Sequence, residues 1–142
     1  MKSAGFLLVV AVLINGCATT PVNLSTANKV PSERVFAFQS KSNENTAKLT
    51  VTRDKGFIGS ACFYSVYINT VFAARMDTSE TATFFMHPGE VLLRAGRDPN
   101  GRGLCGGDQG NWTQRETSLK ANEHKYFRLS IWIFDIKSSH NY

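Results

Sequence analysis

Residues 62–76 read CFYSVYINTVFAARM, and their hydrophobic period is two. Cys62, Tyr64, Val66 and Ile68 fall on one side of an extended chain, with Phe63, Ser65, Tyr67 and Asn69 on the other. Asn69-Thr70 sits between the apolar runs. Asn takes up the left-handed conformation that a two-residue hairpin turn requires, although Thr70 stands where glycine would cost less. The stretch predicts two antiparallel strands, 62–69 and 71–76, joined by a tight turn.

The same period continues on both sides. RVFAFQ (34–39) and AKLTVTR (47–53) alternate, with the polar break SKSNENT (40–46) between them. TATFFM (81–86) runs into His87-Pro88-Gly89-Glu90, where Pro-Gly stands in the order of a type II turn, and VLLRAG (91–96) returns from it. Past a glycine-rich loop come WTQRETSL (112–119), the polar turn KANEHK (120–125) and YFRLSIWIFDI (126–136). In that last segment Phe127, Leu129, Ile131 and Ile133 line one face, and Tyr126, Trp132 and Phe134 the other. No segment carries a helical stripe. About eight short strands separated by turn signals predict an all-β fold, a small antiparallel β-sandwich or barrel. The β-branched and aromatic content agrees.

The N-terminus is built differently. Lys2 precedes an unbroken apolar block, residues 6–14, which has the length of a secretory signal and is shorter than the roughly 20 residues a spanning helix needs. The block ends in Ile14-Asn15-Gly16-Cys17, which resembles the bacterial lipobox. The resemblance implies a signal peptide over 1–16 and a diacylglyceryl group on the Cys17 thiol, with Cys17 as the acylated first residue of the mature chain. In the lipoproteins it resembles, Ala18 in place of Asp after the cysteine implies the outer membrane. The periplasmic face is the expected location, and the residue itself does not choose between the two faces. Two or three acyl chains anchor stably where one is marginal, at about 0.8 kcal/mol per buried methylene.

Residues 17–33 are rich in Ser, Thr, Asn and Pro and read as a flexible tether. Fully extended it would reach on the order of 50 Å, placing the domain, 34–142, clear of the head groups. With Cys17 assigned to lipid, Cys62 and Cys105 remain, and an oxidising compartment makes them a disulfide. A redox or metal pair would call for C-x-x-C spacing or a neighbouring His, and neither is present. The bridge would staple the 97–111 loop to the start of the strand at Cys62. Removing 1–16 from the 142 residues leaves 126, with 15 of the 16 Lys and Arg facing 11 Asp and Glu. That modest excess of +4 contains no dense basic run, so nothing supports nucleic-acid binding.

VTRDKGFIGSACFYSVYIN (51–69), AAR (73–75), HPGEVLLRA (87–95) and GRGLCGG (101–107) resemble small proteobacterial lipoproteins of unassigned function with PEGA or DUF2846-type β-sandwich domains. The likeness covers roughly 48–107 and implies an Ig/PEGA-like sandwich and an envelope location, with no reaction attached. Thr70 departs from the Gly of that pattern, and His87 from its Pro or Leu.

Catalytic signatures are missing: there is no G-x-S-x-G elbow and no H-E-x-x-H, and His87, His124 and His140 are scattered over turns and the C-terminal tail. Asp77, Glu80 and Glu90 are the carboxylates whose approach the sequence leaves open. No metal or cofactor site is expected. GRDPNGRGLCGGDQGNW (96–112) holds six glycines, and Arg97, Asp98, Arg102, Asp108 and Trp112 make it a candidate binding loop. The expected function is a non-enzymatic, lipid-anchored binding or accessory module with an envelope protein partner. The alternative is an inhibitor or immunity-type lipoprotein that blocks an incoming toxin, phage or plasmid factor.

Overall fold

The computed structural model describes residues 19–42, 44–56, 61–107, 110–130 and 135–139, the last of these through their backbone. The lipobox, Asp108, Ile131 to Phe134 and His140 lie outside the described residues. The fold is a small all-β sandwich. Its strands are β1 (Asn28–Lys29), β2 (Ala47–Arg53), β3 (Tyr64–Ile68), β4 (Val71–Met76), β5 (Glu80–Met86), β6 (Gly89–Arg97), β7 (Trp112–Leu119), β8 (His124–Ser130) and β9 (Asp135–Ser139). One sheet has the order β1-β5-β2-β8-β9 and the other β4-β3-β6-β7. Pairing is antiparallel except for β1 with β5 and β2 with β8, which run parallel.

The alternation in the sequence is the alternation of burial. Leu49, Val51, Phe84, Phe127 and Leu129 from one sheet meet Val66, Ile68, Ala74, Met76 and Leu93 from the other. At about 25 cal/mol per Å² of apolar area withdrawn from water, this layer is the main source of stability. The hairpin at 69–70 forms as the sequence implies, with Asn69 at φ 48° and Thr70 at φ 70°. A bulge opposite Val66/Tyr67 inserts Ala73 into β4. Both Ala73 and Ala74 are therefore buried, and Phe72 and Arg75, three residues apart, share the outer face.

Four expectations are corrected. RVFAFQ is no strand: a 3-10 turn over Ser32–Arg34 leads to a single bridge from Val35 to Ala74. The chain then crosses the open side of the sandwich. Phe36 N donates to Ala73 O on one sheet, and Phe38 O accepts from Phe85 N on the other. A segment that changes sheets within two residues cannot stay extended, and Phe38 bends at φ 60°. Second, Pro88-Gly89 makes no hairpin: β5 and β6 belong to different sheets, and Gly89 at φ 138° turns the corner between them. Third, 126–136 is not one strand, because Ser130 pairs with Asp135 and β8 is followed by its antiparallel partner. Fourth, the tether is short. Thr20 bridges Lys55, Val22 and Val30 are buried, and β1 pairs with Glu80 and Thr81.

One end of the sandwich is held by charge. Arg53, 1% exposed, extends from β2 and donates through Nη1 to Cys62 O at 2.6 Å and Met76 O at 2.9 Å. Its guanidinium lies 4.2 Å from the Tyr64 ring centroid. Burial lowers its pKa to about 10, which leaves it charged at neutral pH. Beside it the buried Asp54 accepts from Val22 N and pairs with Arg128. Arg34 grips Glu80 with both Nη atoms, and Glu80 also accepts from Asp77 N in the turn between β4 and β5. The Cys62–Cys105 disulfide closes at the same end, with a Cα–Cα distance of 5.3 Å.

Arg53→Leu would leave two buried carbonyls without this donor. It should destabilise the oxidised protein by about 2–5 kcal/mol, read from urea unfolding. An unchanged midpoint would show that the guanidinium does not join the sheets.

Candidate binding surface

Four aromatic rings run across the outer face of the β4-β3-β6-β7 sheet. The two-residue turn sets Tyr67 opposite Phe72, and their rings stack at 5.0 Å between centroids. Phe36 arrives from the crossing segment and stacks on Phe72 at 4.8 Å. On the other side Trp112 meets Tyr67 edge-on at 5.1 Å. Trp112 lies opposite Gly96 in the β6–β7 register, and a Cβ on Gly96 would stand 2.7 Å from the indole Cε3. Gly96 is required because the indole occupies its side-chain space.

Two arginines edge this row. Arg94, opposite Tyr67 on β6, holds its guanidinium 5.1 Å from the Trp112 ring centroid. It has no carboxylate partner among the described residues. Arg75 is about 6.0 Å from both the Phe36 and Phe72 rings, and its Nε is 2.5 Å from Asp98 Oδ2. Phe36 is 48% exposed and Phe63, at the disulfide end, 36%. Tyr67, Phe72 and Trp112 are half-buried. Aromatics partly open to water on a sheet face, with arginines beside them, have the composition of an interaction hot spot.

The loop residues singled out from sequence divide between scaffold and surface. Asp98 is buried: it holds Arg75, accepts from Asn100 N at 3.0 Å, and its own amide donates to Phe63 O at 3.2 Å. Arg97 braces the loop by donating from Nη1 to Leu104 O at 3.0 Å. Arg102 is exposed, and Trp112 belongs to the aromatic row. Sequence reasoning missed Phe36, Tyr67, Phe72, Arg94 and Leu104. Tyr67 and Phe72 could have been found, since a two-residue turn at 69–70 makes them cross-strand partners. Leu104, the one large aliphatic in a glycine-rich loop, is 94% exposed.

The remaining polar groups are engaged in structure. Asp77 and Glu80 share one turn, whereas Glu90 is the second residue of β6, at the opposite end of the sandwich. His124 begins β8 rather than lying in a turn; its Nε2 is 2.8 Å from Thr50 Oγ1 and its Nδ1 2.9 Å from the Tyr126 hydroxyl. A shallow groove of about 460 Å³ lies between the crossing segment and the β5–β6 corner. Two of its polar side chains hold backbone: Asn69 Oδ1 accepts from Leu92 N, and Gln39 Nε2 donates to Thr83 O. Among the described residues no group of three or more His, Cys, Asp or Glu could hold a metal ion. The chain matches no protein-family model, and no curated protein matches it.

Two outcomes follow. Gly96→Ala should push the indole away from Tyr67, destabilise the fold by about 1–3 kcal/mol as overpacked sites do, and change the tryptophan fluorescence. A variant with wild-type stability and spectrum would contradict the close packing. His124 is held below its ordinary 6.5 by burial and, secondarily, by the Lys48 charge. The unfolded chain therefore binds the proton more readily, so stability is complete above pH 6.5 and falls as the pH drops below it. His124→Gln should flatten that part of the pH–stability curve, and an unaltered slope would assign the acid sensitivity elsewhere.

Proposed function

We propose that this protein is a lipid-anchored, non-enzymatic binding module of the bacterial envelope, and that its contact face is the outer face of the β4-β3-β6-β7 sheet. The observation that carries the reading is the row Phe36, Phe72, Tyr67 and Trp112, with Arg94 unpaired by any described carboxylate at its edge. Tyr, Trp and Arg dominate binding energy at protein interfaces because they bury large area at low conformational cost and keep a polar handle. Anchoring follows from the lipobox-like Ile14-Asn15-Gly16-Cys17, and an oxidising compartment suits the Cys62–Cys105 bridge. The resemblance of its motifs to those of PEGA-type lipoproteins supports the same location.

The partner in this reading is an envelope protein. Contact through the aromatic row distinguishes it from an inhibitor that acts by inserting a loop. The exposed Leu104 is the feature that favours the loop-insertion alternative.

The test is a crosslinking pull-down from native envelopes with wild type, Phe36→Ser/Arg94→Glu, and Lys48→Glu on the other sheet as a control. A defined protein should be captured by wild type and control and reduced at least tenfold by the double variant, a loss of about 1.4 kcal/mol or more. Equal capture by all three would move the contact off this face.

A further inference from the structure

The chain joins the folded domain at the end of the sandwich that carries the glycine-rich loop. Thr20 and Lys55 exchange both backbone hydrogen bonds, at 2.8 and 3.1 Å. Lys55 follows Arg53 by two residues, Arg53 reaches Cys62 O, and Cys62 is bonded to Cys105. Thr20, Lys55 and the 101–107 segment therefore share one end of the molecule. Only Ala18 and Thr19 separate Cys17 from Thr20. Fully extended, those three steps reach about 10 Å. The interfacial layer of one leaflet is itself roughly 5–8 Å thick, so an acyl group on Cys17 brings this end into contact with the head groups.

Leu104 stands on that end, 94% exposed. Its backbone is braced: Arg97 holds its carbonyl, Cys105 N donates to Arg102 O, Gly106 N to Gly103 O, and Cys105 is bridged to Cys62. Gly103 at φ 58° gives the turn its direction. A large aliphatic group fixed in water gains by entering an apolar phase. Arg102 and Lys55, both exposed, place cations on the same end.

We propose that the 101–107 loop docks on the bilayer, with Leu104 entering the boundary between head groups and acyl chains and Arg102 and Lys55 meeting lipid phosphates. The proposal rests on acylation of Cys17 and adds an orientation to it. The strands stand across the membrane plane and the aromatic row faces sideways, open to a partner. A protein pocket for Leu104 is the less favoured occupant, because the short link leaves no room for a domain between this end and the lipid.

The experiment uses the full acylated chain in native envelopes with a benzophenone amino acid in place of Leu104 and, separately, of Thr70 at the opposite end. Mass spectrometry of the N-terminal peptide is recorded in the same samples. With Cys17 acylated, irradiation should yield phospholipid adducts at position 104 at least fivefold over position 70. Equal lipid labelling at the two positions, or a protein adduct at 104, overturns the docking while leaving the anchor in place. An unacylated Cys17 removes the premise and overturns anchor and docking together.

Discussion

The buried guanidinium of Arg53 is the constraint on which the loop-bearing end depends. A β-sandwich is held over most of its area by apolar side chains that meet between the sheets, and such contacts are non-directional. Arg53 adds direction. It leaves one sheet and binds the carbonyls of Cys62, two residues before β3, and Met76, the last residue of β4, at the open end of the β3–β4 hairpin of the other. The Cys62–Cys105 bridge then carries that fixed point outward to the glycine-rich loop. Burying the charge is costly, and its hydrogen bonds and the Tyr64 ring offset the cost. Asp54, the next residue, secures the incoming chain through Val22 and the neighbouring strand through Arg128. The Arg-Asp pair at the head of the RDKGFIG motif is therefore structural.

Much of the fold was legible because the period-two signal is local. AKLTVTR, VFAARM and WTQRETSL coincide with β2, β4 and β7, and the Asn69-Thr70 turn adopts the conformation its residues permit. Errors arose where a segment's partner lies far along the chain. RVFAFQ has the alternation of a strand but must cross between sheets. Pro88-Gly89 carries turn chemistry that serves a change of sheet as well as a hairpin. The polar stretch after Cys17 looked free because its anchors are single residues, Val22 and Val30, and backbone bonds that composition does not record. Thr50 and Thr52, on the same side of β2 as the exposed Lys48, are buried and paired by hydroxyl bonds to Thr83 and Thr81.

The site was less legible for the same reason. The disulfide could be reached by counting cysteines once Cys17 was set aside. The aromatic row needs the β3–β6 and β6–β7 registers, the Ala73 bulge and the crossing of Phe36, which are all tertiary facts. The glycine-rich loop stands out by its charges, but Asp98 and Arg97 prove to be its internal braces, and the large apolar side chain it presents to solvent is Leu104. In the proposed reading the rigid end and the aromatic face divide the work: one end would fix where the domain sits, and the adjoining face would be left free for a partner.

Hydroxyl-radical footprinting of the full chain, purified and in native envelopes, tests this division most directly. Phe36, Tyr67, Phe72 and Trp112 should become protected from oxidation in the envelope, while Phe85 and Tyr126 on the other sheet should oxidise at the same rate in both settings. Equal oxidation of the four aromatics in both settings would contradict it.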